Sequence, residues 1–405
     1  MMYDAMIIGG GASGLAAACA LAGAGKKVLL AEKQSRVGRK LLSTGNGRCN
    51  LTNLRAVPQN YHGARAAAAR ALELCPPKDV LEFFEELGLP AVSDEEGRVY
   101  PMSNQAASVL DALRLSAAER GCEIVTDCAA ESVQRGKNGF AVRCSEGRSF
   151  QAKKVLVCTG GLAAPKLGAC GDGYKMLESL GHVSVPKLPA IAALKTPPEQ
   201  VRALKGQRVE CLISLLADGK TLREERGEVL FSETGVSGIA SMQLARACGE
   251  ALKAGKKCAV RINIVGDGDA FDMLCDRVEK LPKRAMEDFL NGIVSKRVGM
   301  ALVKLAGVEM TRSAESLKTK ELRALADVLT GWTIPVTGVQ GFEQAQVTAG
   351  GISLKDFDWD TMESKRGPGL YAAGEVLDVD GDCGGFNLQW AWASALIAAK
   401  AMMRD

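Results

Sequence analysis

The sequence predicts an α/β fold: a Rossmann-like dinucleotide-binding domain built from both ends of the chain, with other material inserted between. Three observations carry this. A strand–glycine turn–helix–strand unit opens the chain, glycine is in excess, and a second glycine-rich block runs into an apolar helix at the C-terminus. Glycine accounts for 45 of 405 residues, about 11% where ~7% is usual. Apolar residues make up 47% and charged residues 24%, the balance of a globular chain with a full core.

Tyr3–Ile8 reads as a buried strand, Ser13–Ala24 as a small-residue helix and Val28–Glu32 as a second strand. Together they form a βαβ unit and imply a parallel sheet with a right-handed crossover. Residues 5–25 carry no charge and are long enough to cross a bilayer. However, Gly9–Gly11 would break a continuous helix, and no basic segment precedes the run. A strand, a turn and a helix account for it, and no membrane association is expected. Residues 34–60 lack periodicity and read as a long loop, a functional feature when it lies inside a compact domain. Helical patterns follow near 77–88 and 104–120, and residues 122–158 read as short strands.

Four prolines in 185–199 mark a boundary. Beyond it, 208–233 has hairpin character around Asp218–Gly219, and 270–326 reads as helical throughout. Residues 369–378 read as a strand entering a loop, and 386–403 as an Ala-rich apolar helix.

Composition narrows function. With 2 histidines, His62 and His182, His-rich metal sites and Ser-His-Asp hydrolysis are disfavoured. A net charge of +4 with 5% aromatics gives no basic stripe, so no nucleic-acid partner is expected. The 13 cysteines include no CxxC pair and read as reduced, mostly buried small hydrophobes of a cytoplasmic protein. Asp378, Asp380 and Asp382 lack the loop length and terminal Glu of an EF-hand, so no metal is expected.

The motif Gly9-x-Gly11-x-x-Gly14 lies between the first strand and its helix. Gly9 permits the tight turn, Gly11 lets a pyrophosphate approach the backbone, and Gly14 lets helix and strand pack closely. Ala12 and Ser13 open the helix, whose free N–H groups and positive dipole suit phosphate. Glu32, eighteen residues beyond Gly14, suits ribose hydroxyls, with Lys33 beside it. Near the other end, Gly374 and Glu375 precede a second helix start at Gly384, Gly385, Phe386, Asn387 and Leu388. An extended FAD would place its flavin end there, where backbone amides stabilise negative charge on the N1/O2 edge.

The blocks IIGGGASGLAAA (7–18), GRKLLSTGNGRCNLTN (38–53), VLVCTGG (155–161), GFEQAQVTAGGI (341–352) and GLYAAGEVLDVDGDCGGFNLQWAWASA (369–395) resemble those of the BaiN/RdsA-type FAD-dependent oxidoreductases, a family that includes proteins described as aminoacetone oxidases. The resemblance implies three parts: an FAD domain (1–190 and 349–405), a β-barrel-like insertion (191–264 and 327–348) and a nested helical insertion (265–326). It also implies that Arg39, Lys40, Asn46, Gly47, Arg48 and Cys49 lie along the pyrophosphate and ring end of FAD. Ala130 is expected to meet the adenine through its backbone, and Thr159 and Gly160 resemble the cofactor-facing strand end of two-domain flavoproteins. Family members often carry an FTH-type block before GxSGP. Here the segment is Phe231-Ser232-Glu233-Thr234-Gly235-Val236-Ser237-Gly238-Ile239, so no role of that His carries over.

The expected reaction is hydride transfer between flavin N5 and a small organic substrate. The leading form is reduction of a conjugated C=C bond in a 3-oxo steroid or bile-acid-like enone, with NAD(P)H as a transient donor. The alternatives are an aminoacetone-type amine oxidase using oxygen, and a flavin-loaded redox or RNA-associated module. No second GxGxxG follows residue 14, which disfavours a permanent NAD domain. Tyr61, His62 and Tyr174 could donate protons, but nothing in the sequence selects one, nor does it fix an oligomeric state.

Overall fold

The computed structural model describes residues 1–404. They divide into two compact units, one formed by Met1–Leu188 with Gln346–Asp405 and the other by Pro189–Ala345.

The first unit is organised by a seven-stranded sheet. Strand β1 (Met2–Ile8) leads through helix α1 (Ala12–Gly23) to β2 (Val28–Ala31). β1 pairs in parallel with β2, Ile8 opposite Ala31, and on its other edge with Ser149–Val157, Ile8 opposite Val157. Strands Glu123–Val125 and Leu370–Ala372 add in parallel, while Gly139–Cys144 and Ala130–Gly136 form an antiparallel meander. The βαβ unit thus lies where the sequence predicts it. Its strands are apolar because both faces are covered, and the charge-free run 5–25 is divided between strand, turn and helix. No helix among the described residues is long and apolar enough to cross a membrane.

The C-terminal helix, Phe386–Met402, returns to this unit and packs on α1. Both helices are apolar around most of their circumference, the pattern of a buried helix. Alanines on each allow close approach, and Trp392, fully buried, meets Phe84 edge-on at 5.1 Å between ring centroids. Helices Arg65–Leu74 and Asp172–Ser179 lie in stretches that the sequence reading leaves unassigned, although the Ala-, Arg- and Leu-rich first of them consists of strong helix formers. All thirteen cysteines are free thiols, and ten of them are buried.

In the second unit a seven-stranded sheet runs in the order Trp332–Val336, Cys258–Asn263, Arg208–Ala217, Lys220–Phe231, Gly235–Ser237, Leu194–Lys195, Gly338–Val339. The hairpin turns at Asp218–Gly219, since Ala217 pairs with Lys220. Both turn residues have positive φ, +48° and +77°, the geometry favoured by the right-handed strand twist. The two end strands are consecutive in the chain, with Thr337 alone between them. Val336 pairs with Cys258 and Gly338 with Lys195, so the stretch 332–339 borders both ends of the path. The course is barrel-like, without a direct ladder between the end strands among the described residues. Helices Ala270–Lys280, Lys296–Leu305 and Thr319–Gly331 occupy the helical stretch.

Candidate cofactor site

The first glycine turn is held by backbone contacts that leave room at one place only. Gly9 has φ +107°, and a Cβ there would stand 2.5 Å from the Cys158 carbonyl oxygen. A Cβ at Gly14 would stand 1.9 Å from the Gly9 carbonyl oxygen. Gly11, by contrast, has φ −82° and nothing within 4 Å of its Cβ position. α1 begins there with no side-chain cap and no acidic residue in its first turn. The amides of Ala12, Ser13 and Gly14 therefore have no partner within the helix, at its positive end.

Beside this turn lies a cleft lined in part by Gly9, Glu32, Lys33, Ala130 and Thr159. Glu32 is tied to the turn: one carboxylate oxygen accepts from Gly10 N–H at 2.7 Å, the other from Gln34 N–H at 2.8 Å. Each oxygen keeps a further lone pair for a ribose hydroxyl. Lys33 pairs with Asp172 at 2.8 Å and also donates to the Cys170 sulfur. Ala130 opens its strand at an irregularity of register before Ser132. The Thr159 hydroxyl oxygen is buried without a partner, and a Cβ at Gly173 would stand 1.9 Å from it. Gly160 follows with φ +72°.

The loop 38–53 and the C-terminal block meet around a second uncapped helix end. Lys40 Nζ lies 2.7 Å from Glu375 Oε2, while Glu375 Oε1 accepts from Thr348 N–H at 2.9 Å. Gly374 has φ +78°, and a Cβ there would stand 2.7 Å from the Ser13 hydroxyl, so this block abuts the start of α1. Its amide donates to Ser394 Oγ at 3.0 Å. Arg39 is exposed and donates to Gln34. Asn46, Gly47 and Arg48 are exposed on a tight bend in which Gly45, Asn46, Gly47 and Cys49 all have positive φ. Arg48 sits over the Tyr100 ring at 4.4 Å. Cys49 is fully buried, and burial pushes its thiol up to about 12. It stays protonated at neutral pH and suits a small neighbour of the cofactor better than a nucleophile.

Gly385, φ +101°, caps the C-terminal helix, which also lacks a side-chain cap and an acidic first turn. Phe386 meets Tyr61 edge-on at 6.2 Å, and Leu388 is half-buried. The Asn387 side chain is engaged in its own loop, accepting from Gly381 N–H and donating to Gly381 C=O, each at 2.8 Å. Only its backbone amide is left to the helix end. Tyr61 and Tyr174 are buried with unpartnered hydroxyls, and burial raises both phenols. His62 Nε2 lies 2.9 Å from Asp382 Oδ1.

Sequence reasoning missed Asn50, Thr52 and Gln389. Thr52 Oγ1 donates to Gln389 Oε1 at 2.6 Å, both residues fully buried, and the visible signal was a lone Gln in an apolar helix. Two uncapped helix ends, an open glycine backbone, a ribose-type carboxylate and an orphaned buried hydroxyl make a set of donors and acceptors that fits FAD.

Comparison with known proteins agrees. The model of the HI0933-like protein Rossmann domain matches residues 3–401. The chain is 36% identical over 401 residues to the 3-dehydro-bile acid delta(4,6)-reductase of Clostridium scindens, covering 98% of each chain. It is 32% identical over 415 residues to a ribosomal RNA dihydrouridine synthase of Escherichia coli, covering 98% of this chain and 99% of the other. The 3-ketosteroid delta1-dehydrogenase of Sterolibacterium denitrificans shares the fold, with a TM-score of 0.52 at 15% identity over 99% of each chain. From its turn, its two helix ends and this full-length match, the chain belongs to the HI0933-like Rossmann family of FAD-dependent oxidoreductases.

Proposed function

We propose that the protein is an NAD(P)H-linked reductase of a C=C bond conjugated with a carbonyl, acting on a 3-oxo steroid or bile-acid-like enone. The observation that carries this reading is the full-length, 36% identity to the Clostridium scindens bile acid reductase. The chemistry is coherent with it, because a conjugated carbonyl draws charge from the double bond and opens its far carbon to hydride. Bound FAD would supply the hydride-transfer centre. The chain's part is to bind and orient. The open backbone at Gly11 and the amides opening α1 take the pyrophosphate, with Arg39 and Lys40 along the same path. Glu32 takes a ribose hydroxyl, Ala130, Thr159 and Gly160 line the nucleotide side, and Gly374 and Glu375 adjoin the phosphate end. Asn46, Gly47, Arg48 and Cys49 follow the ring, and the amides of Phe386, Asn387 and Leu388 offset negative charge at its far edge.

A second reading has its own observation, the 32% identity to a ribosomal RNA dihydrouridine synthase. The 5,6 double bond of uracil is also conjugated with a carbonyl, so the two substrates present one type of reducible bond. Anaerobic titration of the flavin absorption with NADH and NADPH, followed by candidate acceptors, tests both. We expect rapid bleaching by a nicotinamide and return of the band with a 3-oxo-4,6-diene bile acid. Return only with ribosomal RNA replaces the first reading by the second. A band untouched by either nicotinamide but bleached by aminoacetone makes the protein an amine oxidase.

A further inference from the structure

Asn50 is 8% exposed, and its side-chain oxygen is fully buried without a hydrogen-bond partner. A buried carbonyl oxygen left unpaired costs about 1–3 kcal/mol, so such an atom points to a missing donor. The backbone beside it is held in place. Leu51 next to it is held on both sides, its N–H bonded to Val99 C=O at 2.7 Å and its C=O to Trp392 Nε1 at 2.9 Å. The Asn50 oxygen stands 2.7 Å from where a Cβ at Gly385 would be, so it overlies the capping residue of the C-terminal helix. The helical ladder starts with Gln389 N–H to Gly385 C=O at 2.9 Å, so the amides of Phe386, Asn387 and Leu388 precede it.

An acceptor therefore lies beside a set of donors. Phosphate offers acceptors alone, and a 3-oxo steroid has no N–H to give. A cyclic imide, –CO–NH–CO–, satisfies both sides: its carbonyl oxygen takes the helix amides and its N–H meets the Asn50 oxygen. We propose that Asn50 is a cofactor-binding residue that accepts from the imide N3–H of the flavin ring while the start of the C-terminal helix holds the adjacent carbonyl. This rests on the assignment of FAD and not on the choice of substrate.

The test is binding of FAD and of N3-methyl-FAD to apoprotein, read by quenching of flavin fluorescence. In the wild type, N3-methylation should weaken binding roughly tenfold, the loss expected for one buried acceptor left unmet. Asn50→Ala should weaken FAD to a similar degree and no longer distinguish the two flavins. Asn50→Asp, which keeps an acceptor, should restore the distinction. The apoprotein of Asn50→Ala should melt where the wild type does, because the oxygen it removes bonds to no group of the protein. Equal binding of both flavins by the wild type, or full FAD affinity in Asn50→Ala, overturns the proposal. A uracil base carries the same imide edge, so the holoprotein is also titrated with uridine and followed by the flavin absorption band. A uridine response lost in Asn50→Ala while FAD affinity is unchanged assigns the group to the base and overturns the flavin assignment. Wild-type apoprotein that takes up neither flavin overturns the cofactor reading and this inference with it.

Discussion

Gly11 and Gly14 stand three residues apart in one motif, yet the structure sets them opposite tasks. A side chain at Gly14 would collide with the Gly9 carbonyl oxygen at 1.9 Å, whereas one at Gly11 meets nothing within 4 Å. Gly11 also has an ordinary φ of −82°, so no backbone strain attends its replacement. Gly11→Val should fold and melt close to the wild type while failing to retain FAD, because the valine fills the space the pyrophosphate needs. Gly14→Val should lose the fold itself. Circular dichroism, thermal melting and the flavin-to-protein absorbance ratio separate the two. A Gly11→Val protein that copurifies with stoichiometric FAD would refute the pyrophosphate assignment. Glu32 teaches a related point: its spacing from the glycines marked it as a ribose ligand, but its two bonds to Gly10 and Gln34 N–H show that it also splints the turn. That second task depends on where the chain bends after the strand and has no signature in sequence.

At the scale of elements, the pieces legible in the sequence are those defined by near neighbours. The βαβ unit follows from an apolar run cut by glycines, and the hairpin from Asp218–Gly219 between alternating strands. Contacts between distant segments were not legible: Lys40 with Glu375, Thr52 with Gln389, and Asn50 over Gly385 join parts of the chain more than 330 residues apart. His182, just beyond the helix Asp172–Ser179, is of the same kind. It is 3% exposed, stacks on Phe357 at 4.5 Å, and its Nε2 lies 2.9 Å from Ser364 Oγ. Burial lowers its basicity below the usual 6.5, with Asp356 opposing and Arg366 adding to the effect. Below pH ~6.5 the unfolded chain takes up a proton that the folded one resists, so the unfolded state binds more protons. Stability contributed at this position is therefore intact above pH ~6.5 and falls as the pH drops through that value toward the folded-state one. Melting curves from pH 8 to pH 5 should show a shallower acid loss for His182→Gln than for the wild type. Parallel curves would mean that the histidine titrates alike in both states.

At the scale of the whole molecule, every residue of the candidate site lies in the unit formed by Met1–Leu188 and Gln346–Asp405. The second unit, Pro189–Ala345, supplies none of the groups assigned to FAD. Of its seven strands only the hairpin within 208–233 was legible in the sequence. Its barrel-like course rests on the stretch 332–339, which pairs with Cys258–Asn263 through Trp332–Val336 and with Leu194–Lys195 through Gly338–Val339. Placing the cofactor in one unit has a thermodynamic consequence. A ligand that binds only the folded form of a unit stabilises that unit, by about 2.7 kcal/mol when present at a hundred times its dissociation constant. A chain of two compact units need not unfold in one step. Calorimetry of the full chain with and without FAD should then show a transition that moves upward with FAD concentration and a second that stays in place. In Gly11→Val neither should move. If FAD instead raised both transitions equally in the wild type, cofactor binding would be coupled to the folding of Pro189–Ala345 as well, and that unit would have to contribute to the bound state.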